Sequence, residues 1–437
     1  MKKILVYSHD TYGLGNVRRM LQVVDHLVHA QPDVSVLLVS GAPLIHAFRI
    51  PHGADYIKLP CVGRTETAQN VVKSLLLPYG EVMRLRADLI FKAALRFRPD
   101  LVLVDKKPLG LANELQPALD ALHHIGRPPK TVLLLRDILD APEATIREWE
   151  SGRHHQAIAE LYDKVLIAGT EEVFDAVREY RFPPHTAAKT QYCGYIARPA
   201  PSRPPGDVRR ECGALDAPLV VVTAGGGGDG YPLMSAYVDG LAARAARNHR
   251  SLLVLGPEMS AGQRGELTRK AADQPGVTVR EFSDDMVSAM NAADLVVSMG
   301  GYNTVCELLT LRKRAIIVPR AKPVREQSIR AGRMHELGLL RTLDAETLTP
   351  RALIEAVEEE LSADPAGSTA LRAFPMDGLV RIGHTVAELL GLNRAHRRKR
   401  SAGAALEAAA SRAADTAAQL VAMATAEHAV MSGTADV

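Results

Sequence analysis

The sequence has almost no charge of one sign to spare. Its 437 residues carry 53 lysines and arginines against 50 aspartates and glutamates, a formal net charge of +3. So small an excess makes no field that would mark nucleic acid as the main partner, and a small-molecule ligand is expected instead. Cysteine is scarce too. Cys61, Cys193, Cys212 and Cys306 are widely scattered, with no C-x-x-C pair and no histidine at zinc spacing. They read as reduced, buried thiols in a cytosolic protein. Long apolar runs are missing. After Lys2 and Lys3 the run Ile4 to Tyr7 is broken by Ser8, His9 and Asp10, too early for the core of a signal peptide. The strongest other runs, such as "PLVVV" and "AIIV", are strand-sized and far short of the ~18 residues of a membrane span. A cytoplasmic location is therefore expected, with membrane contact at most peripheral.

What is present is an ordinary core-forming composition, 47% apolar and 24% charged, enough for two domains at roughly 150 residues each. Short β-branched runs alternate with longer helical stretches: "KILVYS", "VSVLLVS", "DLVLVD", "TVLLLRD" and "KVLIAG" in the first part. That rhythm predicts an α/β fold with parallel sheets covered on both faces. In the first helix Val17, Met20, Leu21, Val24, Leu27 and Val28 share one face, while Arg18, Arg19 and Asp25 fall elsewhere. A proline- and arginine-rich stretch marks a linker over 199–216, after a first domain at 1–198. A second α/β domain follows over 217–375, with strands "PLVVVT", "SLLVLG", "VTVREF", "DLVVSM" and "RAIIVP". Residues 376–392 read as a C-terminal helix able to pack back on the first domain. Residues 393–437 hold a basic cluster, Arg394, Arg397, Arg398, Lys399 and Arg400, and an alanine-rich tail. The cluster reads as a solvated linker, with docking to anionic lipid or a phosphorylated carrier as the alternative.

In open α/β sheets ligands sit beyond the carboxyl ends of the strands, where glycines let a backbone approach and helix N-termini offer unpaired N–H groups. Three loops fit. "HDTYGLGN" follows the first strand and contains Gly13 and Gly15; "GGGGDG" holds Gly225, Gly226, Gly227 and Gly228; "MGGYNT" holds Gly300, Gly301, Asn303 and Thr304. Two of the three lie in the second domain, which should hold the more anionic part of the ligand. The four-glycine run also satisfies G-x-G-x-x-G, but "SLLVLG" ends without the acid that would hold a dinucleotide ribose, so an NAD-dependent enzyme is a remote reading. Glu307 follows Gly301 by less than two helical turns. A carboxylate there can accept both hydroxyls of a ribose, or be a plain glutamate on a helix surface.

The stretch "VTVREFSDDMVSAMNAADLVVSMGGYNTVCELLTLRKRAIIVPRAKPVREQSIRAGRMHELGLL", residues 277–340, resembles the donor-binding half of glycosyltransferase family 28, whose best-known member adds N-acetylglucosamine in forming the peptidoglycan precursor lipid II. The likeness continues more loosely from residue 218; the first domain matches only in its opening strand and glycine loop. It implies a GT-B fold, two Rossmann-like doubly wound domains facing across a cleft, and a hexosyltransferase taking a nucleotide-sugar, a UDP-sugar, as co-substrate with no other cofactor. Carried over by position, the backbone around Phe282 and Ser283 meets the nucleobase and Glu307 the ribose. Gly226, Gly227, Gly301 and Thr304, within the two glycine loops, meet the diphosphate, and Glu326 and Gln327 the sugar hydroxyls. A diphosphate leaving group held without metal needs N–H groups and helix dipoles, as these loops supply. No D-x-D occurs in the chain, so no metal is implied. The adjacent pairs His123, His124 and His154, His155 read as surface histidines rather than ligands.

The first domain should bring a hydroxyl acceptor, small molecule or lipid-linked, and a general base. Where the family has a histidine after the glycines, this chain has Asn16, which cannot take a proton. His9 and Asp10 at the end of the first strand are the favoured candidates for the base, with Asp105 and Asp137 at other strand ends on the acceptor side. Arg18 and Arg19 can reach an acceptor phosphate or lie on a solvated face. The stretch Thr65 to Phe97 reads as helix-rich and as shaping the acceptor pocket; the apolar side chains of "VVKSLLLPYG" read as core, with contact to a lipid-linked or aromatic acceptor as the alternative. The leading expectation is an inverting, metal-independent glycosyltransferase. The alternatives are a UDP-sugar epimerase or hydrolase on a similar fold, and a nucleotide-sugar-binding protein without turnover.

Overall fold

The computed structural model describes residues 1–9, 15–64, 70–244, 248–320, 322, 324–363 and 374–392. Asp10, Gly13, the basic cluster and the alanine-rich tail lie outside the described residues. The chain falls into two compact units, Met1–Gly383 and His384–Val437. The first holds both sheets. The described part of the second is the end of the helix Gly378–Leu389 and the residues up to 392.

Chain order gives β1 (Lys2–Ser8), β2 (Val34–Ser40) and β3 (Ala54–Lys58), then an antiparallel hairpin of β4 (Val62–Arg64) and β5 (Asn70–Val72). β6 (Leu101–Asp105), β7 (Lys130–Arg136), β8 (Lys164–Ala168) and β9 (Thr190–Tyr192) complete the first part. The second sheet is built from β10 (Leu219–Thr223), β11 (Arg250–Val254), β12 (Val277–Arg280), β13 (Leu295–Ser298), β14 (Ala315–Ile317) and β15 (Arg341–Thr342). The orders are β3-β2-β1-β6-β7-β8-β9 and β12-β11-β10-β13-β14-β15, all parallel. Each sheet starts in its middle, grows to one side, then crosses to the other. That reversal opens a crevice between β1 and β6 in one sheet and between β10 and β13 in the other.

The central strands are covered on both faces, which is why they read as unbroken apolar runs: β6 and β10 are buried at every residue. Around β10 the core gathers Val220, Met234, Tyr237, Leu253, Val297 and Ile354, each contributing about 1.5–3 kcal/mol by leaving water. The elements that escaped the pattern are peripheral and short. β3 is half-exposed and β15 has two residues, so neither carries a buried run. The helical reading of Thr65 to Phe97 needs correction. Asn70–Val72 is a strand paired with Val62–Arg64, and the helix starts only at Tyr79, after Pro78. The apolar side chains before it divide: Val72 packs against the cluster of Val62, Val82, Met83 and Leu111, while Leu75, Leu76 and Leu77 are exposed rather than core. Inside the expected linker lies the helix Pro205–Glu211, whose Arg209 donates to the carbonyls of Ala292 and Ala217 and pairs with Asp294. After the second sheet the chain returns to the first: the Tyr195 N–H donates to Pro375 O, and a Cβ on Gly383 would meet His26 Nε2 at 2.7 Å.

Candidate functional site

The glycine loop after β10 and the helix after β13 face one another at the second crevice. A Cβ built on Gly225 would meet Thr304 Oγ1 at 4.0 Å. One built on Gly301 would meet nothing nearer than Gln327 Nε2, also at 4.0 Å. Gly301 is the N-cap of the helix Tyr302–Leu311, with φ −59° and no side chain capping it. Neither conformation nor crowding demands glycine there, so what the missing side chain leaves open is approach to the backbone N–H groups of a helix start. Gly227 is glycine for another reason. Its φ is +88°, and a Cβ would sit 2.3 Å from the carbonyl of Leu255. It locks the loop to the end of β11, where the Glu258 N–H donates to Gly226 O and the Gly256 N–H donates to Glu281 O. Those bonds bring the segment of Phe282 and Ser283 beside the glycines, with the Phe282 ring 55% exposed. Gly228 is exposed and Gly300 is buried at φ +77°.

Glu307 is not a surface glutamate. It is 2% exposed, and its Oε1 accepts a hydrogen bond from Arg18 Nη2 at 3.0 Å, across from the first sheet. Arg18, expected on the acceptor side, thus reaches the second crevice. Asn303 also turns to the first part of the chain, donating to Gly15 O at 2.9 Å and accepting from Arg198, which donates to Gln22 as well. Glu326 and Gln327 open the helix Glu326–Glu336 beside the same glycines. Arg136 lies 2.6 Å from Glu326, and Gln327 Oε1 accepts from the Arg320 N–H at 3.3 Å. Burial pushes the Glu326 carboxyl up, but Arg136, and behind it Arg330, Lys106 and Arg320, hold it below the usual glutamate range.

At the first crevice the strand-end carboxylates are committed to guanidinium groups. Asp105 takes Arg19 Nη2 at 2.5 Å, and its other oxygen accepts the His9 N–H at 3.2 Å. Arg19, which the helical pattern assigned away from the buried face, is 1% exposed. A carboxylate waiting at the strand end is what draws it inward. Asn16 donates to the His9 carbonyl and accepts weakly from Arg19 at 3.4 Å, so it ties the start of the first helix to the end of β1. Asp137 receives Arg330 through two bonds of 2.7 Å, and accepts from Tyr195 OH at 2.8 Å. Arg330 also donates to Gly300 O at 3.1 Å. Burial disfavours the Arg330 charge, yet the Asp137 carboxylate outweighs it and holds the group above its ordinary pKa. Between the two arginines lies Tyr302, its ring 5.6 Å from each guanidinium carbon and its OH donating to Ala168 O at 2.9 Å.

Sequence reasoning missed Arg136, Arg198, Arg320, Arg330 and Tyr302. Tyr302, Arg320 and Arg330 lie inside the 277–340 stretch, but an arginine or tyrosine carries no signal until its partner is known. His154 also needs correction as a surface residue: it is 5% exposed and packs edge-on against Trp149. Among the described residues no three His, Cys, Asp or Glu side chains gather in a way that could hold a metal ion. Nor is any described helix long and apolar enough to cross a membrane.

Residues 220–374 match the glycosyltransferase family 28 C-terminal domain. An uncharacterized glycosyltransferase of Methanopyrus kandleri is 28% identical over 206 residues, 46% of this chain and 54% of that protein. A UDP-N-acetylglucosamine–N-acetylmuramyl-(pentapeptide) pyrophosphoryl-undecaprenol N-acetylglucosamine transferase of Clostridium kluyveri is 31% identical over 99 residues, 22% of this chain and 28% of the relative. The chain thus spans about half, or less, of the length of these curated relatives. Among solved structures, Acinetobacter baumannii MurG superposes with a TM-score of 0.56 at 16% identity, covering 89% of this chain and 100% of that one. A putative UDP-N-acetylglucosamine 2-epimerase from Listeria monocytogenes does so with a TM-score of 0.60 at 12% identity, covering 89% and 96%. These structural likenesses establish the fold, two Rossmann-like sheets in the GT-B arrangement. Sequence and topology together thus give a GT-B fold whose residues 220–374 match the glycosyltransferase family 28 C-terminal domain.

Proposed function

We propose that the chain is a glycosyltransferase that moves a hexose from a nucleoside diphosphate, UDP, to a hydroxyl acceptor with inversion. The observation that carries this reading is the second crevice: Gly225 and Gly301 with room over their backbones, beside Thr304 and the buried carboxylate of Glu307. N–H groups at the start of the helix Tyr302–Leu311 suit a diphosphate, and Glu307 suits the two hydroxyls of a ribose. The Clostridium relative is a transferase of UDP-N-acetylglucosamine, which supports the choice of nucleotide.

In the step, the acceptor oxygen attacks the anomeric carbon on the face opposite the diphosphate. The O–C bond forms as the bond to the diphosphate oxygen breaks, that electron pair leaves with the diphosphate, and the hydroxyl proton passes to a base. Asp105 and Asp137 are each held by a guanidinium, which leaves His9 and Asp10 at the end of β1 as the base. Helix N-termini and backbone N–H groups stabilise the departing diphosphate, and no metal or further cofactor is assigned. The exposed Leu75, Leu76 and Leu77 favour an acceptor with an apolar portion, as a lipid-linked sugar has.

Calorimetric titration of the full chain with UDP, repeated on Glu307→Ala, tests the donor half. Binding is expected without added metal, weakened about 10- to 100-fold in the variant by loss of hydrogen bonds to a charged acceptor. No binding of UDP or of any other nucleoside diphosphate would remove the reading. Product analysis of UDP-sugar turnover with and without a panel of hydroxyl acceptors tests the transfer. Turnover in the absence of any acceptor would replace it by epimerisation or hydrolysis.

A further inference from the structure

At the sugar end of the cleft, beside Glu326, the protein has gathered cationic side chains from both halves of the fold. Arg136 ends β7, Lys106 follows β6 and Arg320 follows β14 by three residues, so both sheets contribute. All three act on Glu326. Arg330 acts on it too, but both of its bonds to Asp137 and a third to Gly300 O already occupy that guanidinium. Arg136 and Arg320 are different. Each pairs one terminal nitrogen with a carboxylate, Glu326 for Arg136 and Asp229 for Arg320. Each keeps a buried Nε–H that finds no acceptor among the described residues. A buried donor without a partner costs about 1–3 kcal/mol, so two on side chains that both act on Glu326, whose own Oε2 also has no hydrogen-bond partner among the described residues, mark a position that something else satisfies. Lys106 adds backbone strain, since it is held at φ +69° although it is not a glycine. The helix Glu326–Glu336 begins here with no side chain capping its first N–H groups.

Resting on the glycosyltransferase reading above, we propose that Arg136, Arg320 and Lys106 form an oxyanion subsite that takes a carboxylate or phosphate group lying beside the transferred sugar. The substrate pair therefore carries an acidic group close to the bond that is made, either on the donor sugar, as in a uronic acid, or on the acceptor. Planar guanidinium groups suit both oxyanions, and the Nε–H is one arm of the fork with which arginine grips them.

The test is calorimetry on the full chain and on Arg136→Gln, with UDP, UDP-glucose, UDP-glucuronate and inorganic phosphate as probes. If the donor sugar carries the acid, UDP-glucuronate binds about tenfold tighter than UDP-glucose, and the variant loses that advantage while keeping its affinity for UDP. If the acceptor carries it, the two sugar nucleotides bind alike, and phosphate binds the complex with UDP-glucose but not the same complex of the variant. Equal sugar affinities with no phosphate binding, while UDP still binds, overturn the subsite. Should UDP not bind at all, the donor reading falls, and phosphate binding that Arg136→Gln abolishes still supports the subsite, while its absence removes that too. Lys106→Gln, at a partly exposed side chain, repeats every arm in case Arg136→Gln does not fold, with thermal unfolding as the check.

Discussion

The two sheets share one strand order and differ in what stands at their strand ends. In the second, β10 and β13 run out into glycines, and the polar groups there are Thr223, Ser298 and backbone N–H. In the first, β6 and β7 run out into Asp105 and Asp137, both fully buried and both clasped by arginine. The helix between β5 and β6 repeats the theme, since its Arg86 grips Glu114 at 2.6 Å twice over, under Tyr7. Topology therefore decides where a crevice opens, and the last residue of each strand decides what the crevice can do. A neutral, glycine-lined edge lets an anion come to the backbone. A carboxylate-lined edge either works as base or, as here, is spent on an arginine, Arg19 of the same half at Asp105 and Arg330 of the opposite half at Asp137.

The sharpest way to break this comparison is Asp137→Ala, which removes the partner of a fully buried arginine. Leaving Arg330 unpaired should cost about 3–5 kcal/mol, seen as a lowered thermal midpoint, because the desolvated charge is left uncompensated. Asp137 would be a free acceptor-side carboxylate after all if the midpoint stayed put. A paired substitution in the other sheet sharpens the contrast. Gly227→Ala should destabilise by about 1–3 kcal/mol, since its Cβ would press on Leu255 O at φ +88°. Gly301→Ala should unfold like the parent yet bind UDP about tenfold more weakly, because the methyl fills space only over the helix start. If Gly301→Ala binds UDP normally, the glycine serves no ligand.

The smallest effect expected is on pH, and the residue that tests it is in the first half. His155 packs against Trp149 and Phe182, and burial first, then the neighbouring His185 and His154, lowers its pKa from 6.5 to about 4. Between those two values the unfolded chain binds the extra proton and the folded chain does not. Stability is thus full above about 6.5 and declines as pH falls towards 4, by roughly 1–2 kcal/mol once solvent screening of a half-exposed ring is allowed for. Thermal midpoints at pH 7.5 and 5 should converge in His155→Phe; an unchanged difference would place the pH response elsewhere.

The sequence by itself determined the alternation of strands and helices and both glycine loops of the second sheet, because each is written locally. A buried parallel strand must be apolar at every residue, and a helix start that receives a phosphate must be free of side chains. The edge strands β3, β9 and β15 were lost for the same reason, being too short or too exposed to leave a run. What only the tertiary structure decided is the use of the charges. Arg18 meets Glu307 across 289 residues, and Arg330 meets Asp137 across 193. An ion pair leaves no period in a sequence. Whether a carboxylate at a strand end is a base, a brace or a ligand depends on which guanidinium the folded chain carries to it.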